Sequence, residues 1–508
     1  MSLSNTAATT SATCFSTVHH QVCRFLADMR SNGMRAGLGF AAMLLSREVV
    51  AGVSCCNQTI SRDVVVVGGG AAGAHAAVWL RDHGHSVVVV EKASQLGGHT
   101  AFYYDSVSNK SINVGVQAWM EYKGTFDFPK RMNVSTSGSM QFATLNYNYV
   151  DFKTGQPVKD WVAPAPDAMY PALQRYLDVL EKYEDITLPG FENFPEPGSV
   201  PEDLIMPFSD FVEKYDIAAA VPQIWDSTAM GLGDTMDVPT FFVMQASGVP
   251  MVRVLLGTAA AATPSSGRLY DLYESVANFL GNDVLYSSTV VSTIQRDDDG
   301  VSLKVNGTDS KLTCIDARRL LVAFEPTTES LAPFKTDETE EEVFNKFGFA
   351  TVYAGILRHP SLQISAAYSN RSPAPGSSNY TIFPLASQVG SIAYIGGTKD
   401  LFQFTAVGTE EDTEDTMRAL IAQSIDTMIA AGTVPESNGT VTFPIFANHG
   451  KMHPRVTSDE LRAGFVSKQR ALQGRRSTWY TGAAFSAGFS TVLWEYNSML
   501  LPRLVDGI

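Results

Sequence analysis

The residues whose types and spacing best suit them for chemistry are glycines. Gly68-Gly69-Gly70-Ala71-Ala72-Gly73 fits G-x-G-x-x-G and stands between two valine runs, residues 64–67 and 87–90. In such a turn the first glycine makes the tight bend and the second lets the backbone approach a pyrophosphate. The third lets the following helix pack closely on the strand. Glu91 closes the second valine run near the spacing at which a carboxylate accepts hydrogen bonds from a ribose diol. Gly68, Gly70, Gly73 and Glu91 together are a grip for a nucleotide.

The elements that must position these residues follow from the pattern. Residues 64–67 are all β-branched, as a strand buried on both faces requires. Residues 71–80 are small and apolar, which suits a helix pressed on a sheet. The N-terminus of that helix offers unpaired N–H groups and partial positive charge to phosphates. Gly84 ends the helix and the second valine strand follows. Further along, Gly97-Gly98 in "LGGHT" forms another glycine turn that can lie against the dinucleotide. "INVGVQAW", residues 112–119, reads as a strand ending at Gly115, where a flat ring could approach the backbone.

At 508 residues the chain exceeds one compact core, and two domains are expected. A net charge of −15, with no basic cluster, argues against nucleic acid as a partner and leaves a small molecule as the expected one. No apolar run reaches spanning length; the best, residues 246–262, carries Pro250 and Arg253. The acidic run 337–342 reads as a solvated helix start. The five cysteines show no metal-ligand or CxxC pattern and no disulfide framework, and no zinc spacing or Ser-His-Asp set is present. His75, His83 and His85 read as surface or packing residues, not metal ligands.

Nucleotide-domain texture recurs in three places, 62–120, 265–330 and 440–508. Residues 121–264 and 331–439 read as a substrate domain, with a hairpin turning at Thr154-Gly155 and helices near 170–184 and 207–220. A capping box at Thr457 to Glu460 opens a helix toward Ala471. Residues 1–60 read as a leader outside the fold. The segment from Met34 has the charged start, apolar centre and small-residue end of a secretory signal, while residues 1–20 have the Ser/Thr-rich, acid-free texture of an organellar one. Seven of the eighteen asparagines lie in N-x-S/T, which favours the secretory pathway.

With "LRDHGHSVVVVEKASQLGGHT", "PEDLIMPFSDFVEKYD" and "ALQGRRSTWYTGAAFSAGFSTVLW" in view, residues 62–505 resemble the flavin-containing amine oxidase-like superfamily. Within it the chain resembles fungal flavoproteins of the beta-cyclopiazonate dehydrogenase type and, more distantly, polyenoic fatty acid isomerase. The resemblance implies an α/β fold: a discontinuous Rossmann-like FAD-binding domain with an interleaved α+β substrate domain, as in amine oxidases and glutathione reductase. FAD is the implied cofactor. Gly68, Gly70 and Gly73 would hold its pyrophosphate, Glu91 its adenosine ribose, and Gly97 and Gly98 would pass the phosphates and ribityl chain. His99 stands where amine oxidases usually carry arginine. Gly115, Val116 and Gln117 match the strand beneath the isoalloxazine, and Val290 (or Val291, one residue on) the residue at adenine. Many relatives have an acid after the C-terminal glycine; here Gly482 is followed by Ala483, so part of the polar grip must come from elsewhere. Ser490, Thr491 and Val492 would begin a helix aimed at the flavin.

The implied chemistry is hydride removal from an apolar, amine- or indole-bearing metabolite, with a protein group taking any accompanying proton. Tyr104, His449, His453 and Tyr480 are the candidate proton handlers, and Trp119 and Trp494 candidate pocket walls. A redox-neutral isomerase of unsaturated fatty acids and a non-catalytic flavin binder are the competing readings.

Overall fold

In the computed structural model of the chain, residues 56–508 are described, apart from 137, 140–142, 309–310 and 374–379; for 138–139 only the backbone is. Nearly all of the expected leader lies outside the described residues, although the first strand, Gln58–Val67, starts within its boundary.

Valine-rich segments build the first sheet. Gln58–Val67 lies between Val87–Val90 and Leu312–Val322, both parallel to it, and Val284–Leu285 adds a parallel strand beyond Val87–Val90. Val64, Val65 and Val66 are fully enclosed, as are Leu320 and Leu321 across the ladder. This explains the unbroken apolar runs: helices or other layers cover both faces. Thr478–Tyr480 joins the C-terminal half of Leu312–Val322 in parallel. The N-terminal half continues instead into antiparallel Gly300–Asn306 and Thr289–Asp297. Sheet strands therefore come from the three separated regions read as nucleotide domain.

The second sheet runs in the order Thr442–Arg455, Gly348–Arg358, Phe402–Gly408, Gln388–Tyr394, Ala366–Asn370, Asn146–Asp151, Gln156–Pro157. Helix Glu414–Ala430 covers it, burying Met417, Ile421, Ile425 and Met428 against Tyr353 and Phe404. The hairpin of Thr100–Asp105 and Lys110–Gly115 lies across this sheet, with Ile112 and Val114 on Ala354 and Ile356. Helices Pro166–Lys182, Phe208–Lys214 and Val221–Ser227 pack into the main core with the first sheet.

Four expectations are corrected. Cys56 and Cys314 form a disulfide, with Cα atoms 5.7 Å apart. Their strands pair in parallel, with Gln58 opposite Thr313, a juxtaposition across 258 residues that spacing cannot reveal. Strand Thr442–Arg455, placed by the sequence with the nucleotide domain, hydrogen-bonds to Gly348–Arg358 in the second sheet. The run 337–342 does open a helix, capped by Asp337, but Glu340 turns inward and is 1% exposed. The helix opened at Thr457 ends at Arg462, where Gly464 with φ +87° breaks it before Phe465–Arg470. No described helix is long and apolar enough to cross a membrane.

Candidate active site

The glycine turn forms as its spacing requires. Gly68 has φ +102°, and a β-carbon on Gly73 would run into the Gly68 carbonyl, so helix Ala71–Asp82 sits directly on the turn. That helix has no side-chain cap and no acid in its first turn, which leaves its N–H groups for an anion. Glu91 is buried beside it. Its Oε2 accepts from the Gly69 N–H at 2.6 Å and its Oε1 from the Ala93 N–H at 2.7 Å. The carboxylate thus braces the turn. Gly97 N–H donates to the Gly69 carbonyl at 2.9 Å, and a β-carbon on Gly98 would stand 3.0 Å from Gly70 Cα. The structure therefore brings Gly68, Gly70, Gly73, Glu91, Gly97 and Gly98 into one cleft.

Two further elements close on this cleft. Helix Ser490–Leu504 begins without a side-chain cap or an acid in its first turn, with Ser490 half-buried and Thr491 and Val492 buried. Asn497 on this helix donates to the Ala72 carbonyl at 2.7 Å and accepts from Thr481 at 2.7 Å, which aligns the two helix starts. Gly482 has φ +112° and open space where a β-carbon would be. On the other side, Ser288 N–H donates to the Glu91 carbonyl at 2.9 Å, setting Val290 next to the ribose end. Val290 is buried and pairs with Val305; the ladder shifts register immediately after it, and Val291 is 45% exposed. Thr289–Asp297 is the edge strand of its sheet, so its outer main-chain groups have no ladder partner.

At the far end of the cleft, Gly115 has φ +92°, and a β-carbon there would lie 2.8 Å from Cε1 and Nε2 of His449. Val116 and Gln117 are half-buried, and Gln117 Nε2 donates back to the Asn113 carbonyl at 3.1 Å. His449 and His99 meet edge to face, 5.0 Å between ring centres. Burial holds the His449 imidazole down to about 3, and neighbouring His99 adds to the effect. Burial also lowers His99, against a bond to the His449 backbone that raises it. His449 Nε2 is enclosed without a partner. His453, at φ +52°, packs on Gly231 and is lowered to about 4 by burial, with Arg455 contributing. These three rings are neutral at physiological pH, and a neutral imidazole can accept a proton.

Other candidates lie elsewhere. Tyr104 is 53% exposed on the hairpin, its hydroxyl bonded to Asn109 of the same hairpin. Tyr480 is buried, but its hydroxyl donates to Glu340 Oε1 at 2.6 Å inside an ion-pair network with Arg296. Both are corrected: one hydroxyl sits on the surface and the other is fixed in the core. Trp119 and Trp494 pack edge to face at 5.8 Å, and Trp494 faces Phe128 and His75 behind the turn helix. They are core residues there. A sequence reading misses Tyr273, which packs on Gly97, because an inward tyrosine on an amphipathic helix carries no distinguishing signal. Among the described residues no cluster of three or more His, Cys, Asp or Glu is arranged to hold a metal.

The cleft fits an extended dinucleotide. Two uncapped helix starts converge on it, and β-carbons on Gly70, Gly482 and Gly488 would meet nothing closer than 3.7 Å. The parallel sheet, antiparallel extension and second sheet define a flavoenzyme with an amine-oxidase-type fold. The family described as NAD(P)-binding Rossmann-like domain matches residues 66–130. The chain is 33% identical over 463 residues to the FAD-dependent oxidoreductase dpchF of Colletotrichum higginsianum, covering 88% of this chain and 93% of that one. It is 30% identical to the beta-cyclopiazonate dehydrogenase of Aspergillus oryzae, covering 88% and 94%. Among solved structures, a fatty acid isomerase from P. acnes superposes with a TM-score of 0.66 at 18% identity, over 87% of this chain and 99% of that one. A putrescine oxidase gives 0.58 at 15%, over 88% and 100%. The chain belongs to the FAD-dependent oxidoreductase family of these fungal relatives, and FAD is its cofactor.

Proposed function

We propose that this enzyme removes a hydride from an apolar small molecule bearing an amine or indole group, as a dehydrogenase or oxidocyclase of specialised metabolism. The observation that carries this reading is the neutral His449–His99 pair against Gly115. The kinship with beta-cyclopiazonate dehydrogenase supports it. FAD, when bound, supplies the hydride acceptor. Gly68, Gly70, Gly73, Glu91, Gly97, Gly98 and Val290 would hold its adenosine and pyrophosphate side, and Gly115, Val116 and Gln117 would line its ring side. His449 Nε2 is neutral and unpartnered and is the acceptor we assign to the substrate proton; burial makes it a weak base, so the negative charge of reduced flavin would have to offset that burial. Trp225, Met230, Ala350 and Val407, with Phe383 and Ala386, form an apolar cluster next to Gly231 and His453. Phe383 and Ala386, its partly exposed members, would meet an apolar substrate body, backed by the enclosed remainder, which excludes water.

We place the protein in the secretory pathway. A disulfide joins Cys56 to Cys314, and the sequon asparagines Asn57, Asn109, Asn133 and Asn438 are exposed. Of the other sequon asparagines, Asn306 is half-buried, Asn379 lies outside the described residues, and Asn370 is buried, its side chain bonding Phe152 and Val389.

Anaerobic addition of amines, indole alkaloids and polyunsaturated fatty acids to the purified flavoprotein tests the reaction. Bleaching of the flavin by an amine or indole, reversed by air, is expected. Rearrangement of a fatty acid with the flavin still oxidised would instead establish the isomerase reading. Loss of mass on glycosidase treatment of secreted protein tests the compartment.

A further inference from the structure

The chain lacks an acid after Gly482, yet a different carboxyl stands at the same level of the sheet. Strands Leu312–Val322 and Thr478–Tyr480 run parallel with Val322 opposite Tyr480, and Thr481 N–H extends the ladder to the Val322 carbonyl at 2.9 Å. Glu325 stands three residues past the end of Leu312–Val322 and Ala483 three past the end of Thr478–Tyr480, so both follow the same end of this parallel pair. Ala323, two residues before Glu325, is part of the cofactor cleft: its β-carbon would lie 3.2 Å from one on Gly73, and its carbonyl closes on Gly68. Glu325 Oε2 is enclosed and has no hydrogen-bond partner, although the residue as a whole keeps some exposed surface. Its own backbone is fixed, the carbonyl accepting from Thr327 N–H at 2.9 Å and from the Ser330 hydroxyl at 2.8 Å.

An unpartnered carboxyl oxygen held rigidly at the strand end costs stability unless a ligand satisfies it. We propose that Glu325 is a cofactor-positioning residue, whose carboxyl hydrogen-bonds the pyrophosphate–ribityl stretch of FAD in place of the acid missing at Ala483. Burial alone raises this carboxyl to about 8, and no charged side chain contributes. A protonated acid can donate to a phosphate or hydroxyl oxygen, where a carboxylate would repel the phosphates. That the charge balance of this cleft differs from that of relatives with an arginine after the glycine pair is consistent: here the position is His99.

The inference rests on FAD occupying the cleft, and the experiment separates the two. FAD affinity is measured by fluorescence titration on apoprotein prepared from wild type, Glu325→Gln and Glu325→Ala, beside the melting temperature of each apoprotein. Wild type binds FAD if the cofactor assignment holds. Glu325→Ala is expected to raise the FAD Kd roughly tenfold or more, the loss of one buried hydrogen bond, while Glu325→Gln stays within a few-fold of wild type. The Glu325→Ala apoprotein is expected to melt no lower than wild type, because an unsatisfied acid has been removed, and the Glu325→Gln apoprotein, which keeps a polar group there, close to wild type. Unchanged affinity in Glu325→Ala overturns the proposal, and so does a melting temperature lowered in both variants, which marks a merely structural residue.

Discussion

The ring of His449 rests on the backbone of Gly115, so closely that a β-carbon there would stand 2.8 Å from both Cε1 and Nε2. Gly115 ends the strand Lys110–Gly115, which the proposed reading sets along the flavin ring, and His449 belongs to the strand Thr442–Arg455 of the second sheet. One glycine thus couples the cofactor strand to the proton acceptor. Gly115→Ala should displace His449 and also demand φ +92° of a residue with a side chain. Reduced flavin content and reduced kcat together are expected, read by absorbance and turnover. His449→Gln should separate the two: flavin content unchanged, and kcat lower by a factor of roughly 10²–10⁴, the usual worth of a general base. Tyr104→Phe should leave both near wild type. Equal kcat in wild type and His449→Gln would remove His449 from the chemistry.

Glu91 ties the glycine turn from within, through Gly69 and Ala93 N–H groups. Glu91→Gln keeps the shape but turns one acceptor into a donor facing an N–H. FAD affinity should fall by roughly tenfold or more, since a charge-assisted bond is lost. Titration of the apoprotein with FAD and, separately, with ADP checks this. Both ligands should weaken alike, because the ribose end is common to them.

How much of this was legible beforehand depends on how local the signal is. The glycine turn and the strand 87–90 are local in sequence and match residue for residue, whereas the first strand starts at Gln58, before its valines, and the Glu91 carboxylate bonds the Gly69 and Ala93 N–H groups. The hairpin at Thr154-Gly155 and the helix across 170–184 were readable from turn chemistry and periodicity, and helix Pro166–Lys182 begins slightly earlier because Pro166 starts it. Residues that act across the sheet were not readable. Glu340 lay in an acidic run that looks solvated, yet it meets Arg296 forty-four residues away. Cys56 and Cys314 were hidden for the same reason. Tyr480 and Tyr104 share a residue type with catalytic tyrosines, but sequence gives no exposure or partner. His449 and His453 could be nominated only as candidates, since the cleft that gathers them forms when two sheets meet.

The Arg296–Glu340 pair is enclosed on both sides, each side chain 1% exposed, with Arg476 and Tyr480 also bonded to the carboxylate. Replacing one partner leaves the other charge buried without compensation, which typically costs about 3–5 kcal/mol. Glu340→Gln should therefore lower the denaturation midpoint strongly. Double replacement, Arg296→Met with Glu340→Leu, should recover much of the loss. Chemical denaturation of wild type, Arg296→Met, Glu340→Leu and the double variant measures the coupling, and additive losses in the double variant would mean the pair does not act as a unit.

Acid should destabilise the fold through its buried histidines. His75 is held down to about 3 by burial, under Phe128 and Trp494, and His449 to about 3. In the unfolded chain these rings titrate near 6.5, so below that pH the unfolded state binds more protons than the folded state. Their contribution is whole above about pH 6.5 and is lost progressively as pH falls toward 3. Thermal melts from pH 8 to pH 4 should show a falling midpoint. His75→Phe, which cannot be protonated, should flatten that decline. No opposite trend is expected from these groups above pH 7, where they are neutral in both states.

The disulfide offers the last test, because it sits at the opposite end of the sheet from the chemistry. Cys56 precedes the first strand, and Gly68 follows that strand's last residue, Val67. Twelve residues of nearly extended chain span about 40 Å at most. The bond closes a loop of some 258 residues and pins the start of Gln58–Val67 to Leu312–Val322. Chain-entropy arguments put the bond at roughly 5 kcal/mol for a loop of this length, acting on the unfolded state, and disulfides typically deliver about 2–4 kcal/mol. Cys314→Ser should thus lower the melting temperature and quicken proteolysis, while FAD affinity and turnover at 25 °C stay close to wild type. Mild reduction of the wild-type protein should have the same effect on melting. A variant that loses FAD as readily as it loses stability would show instead that strain at the strand start travels the length of Gln58–Val67 to the glycine turn.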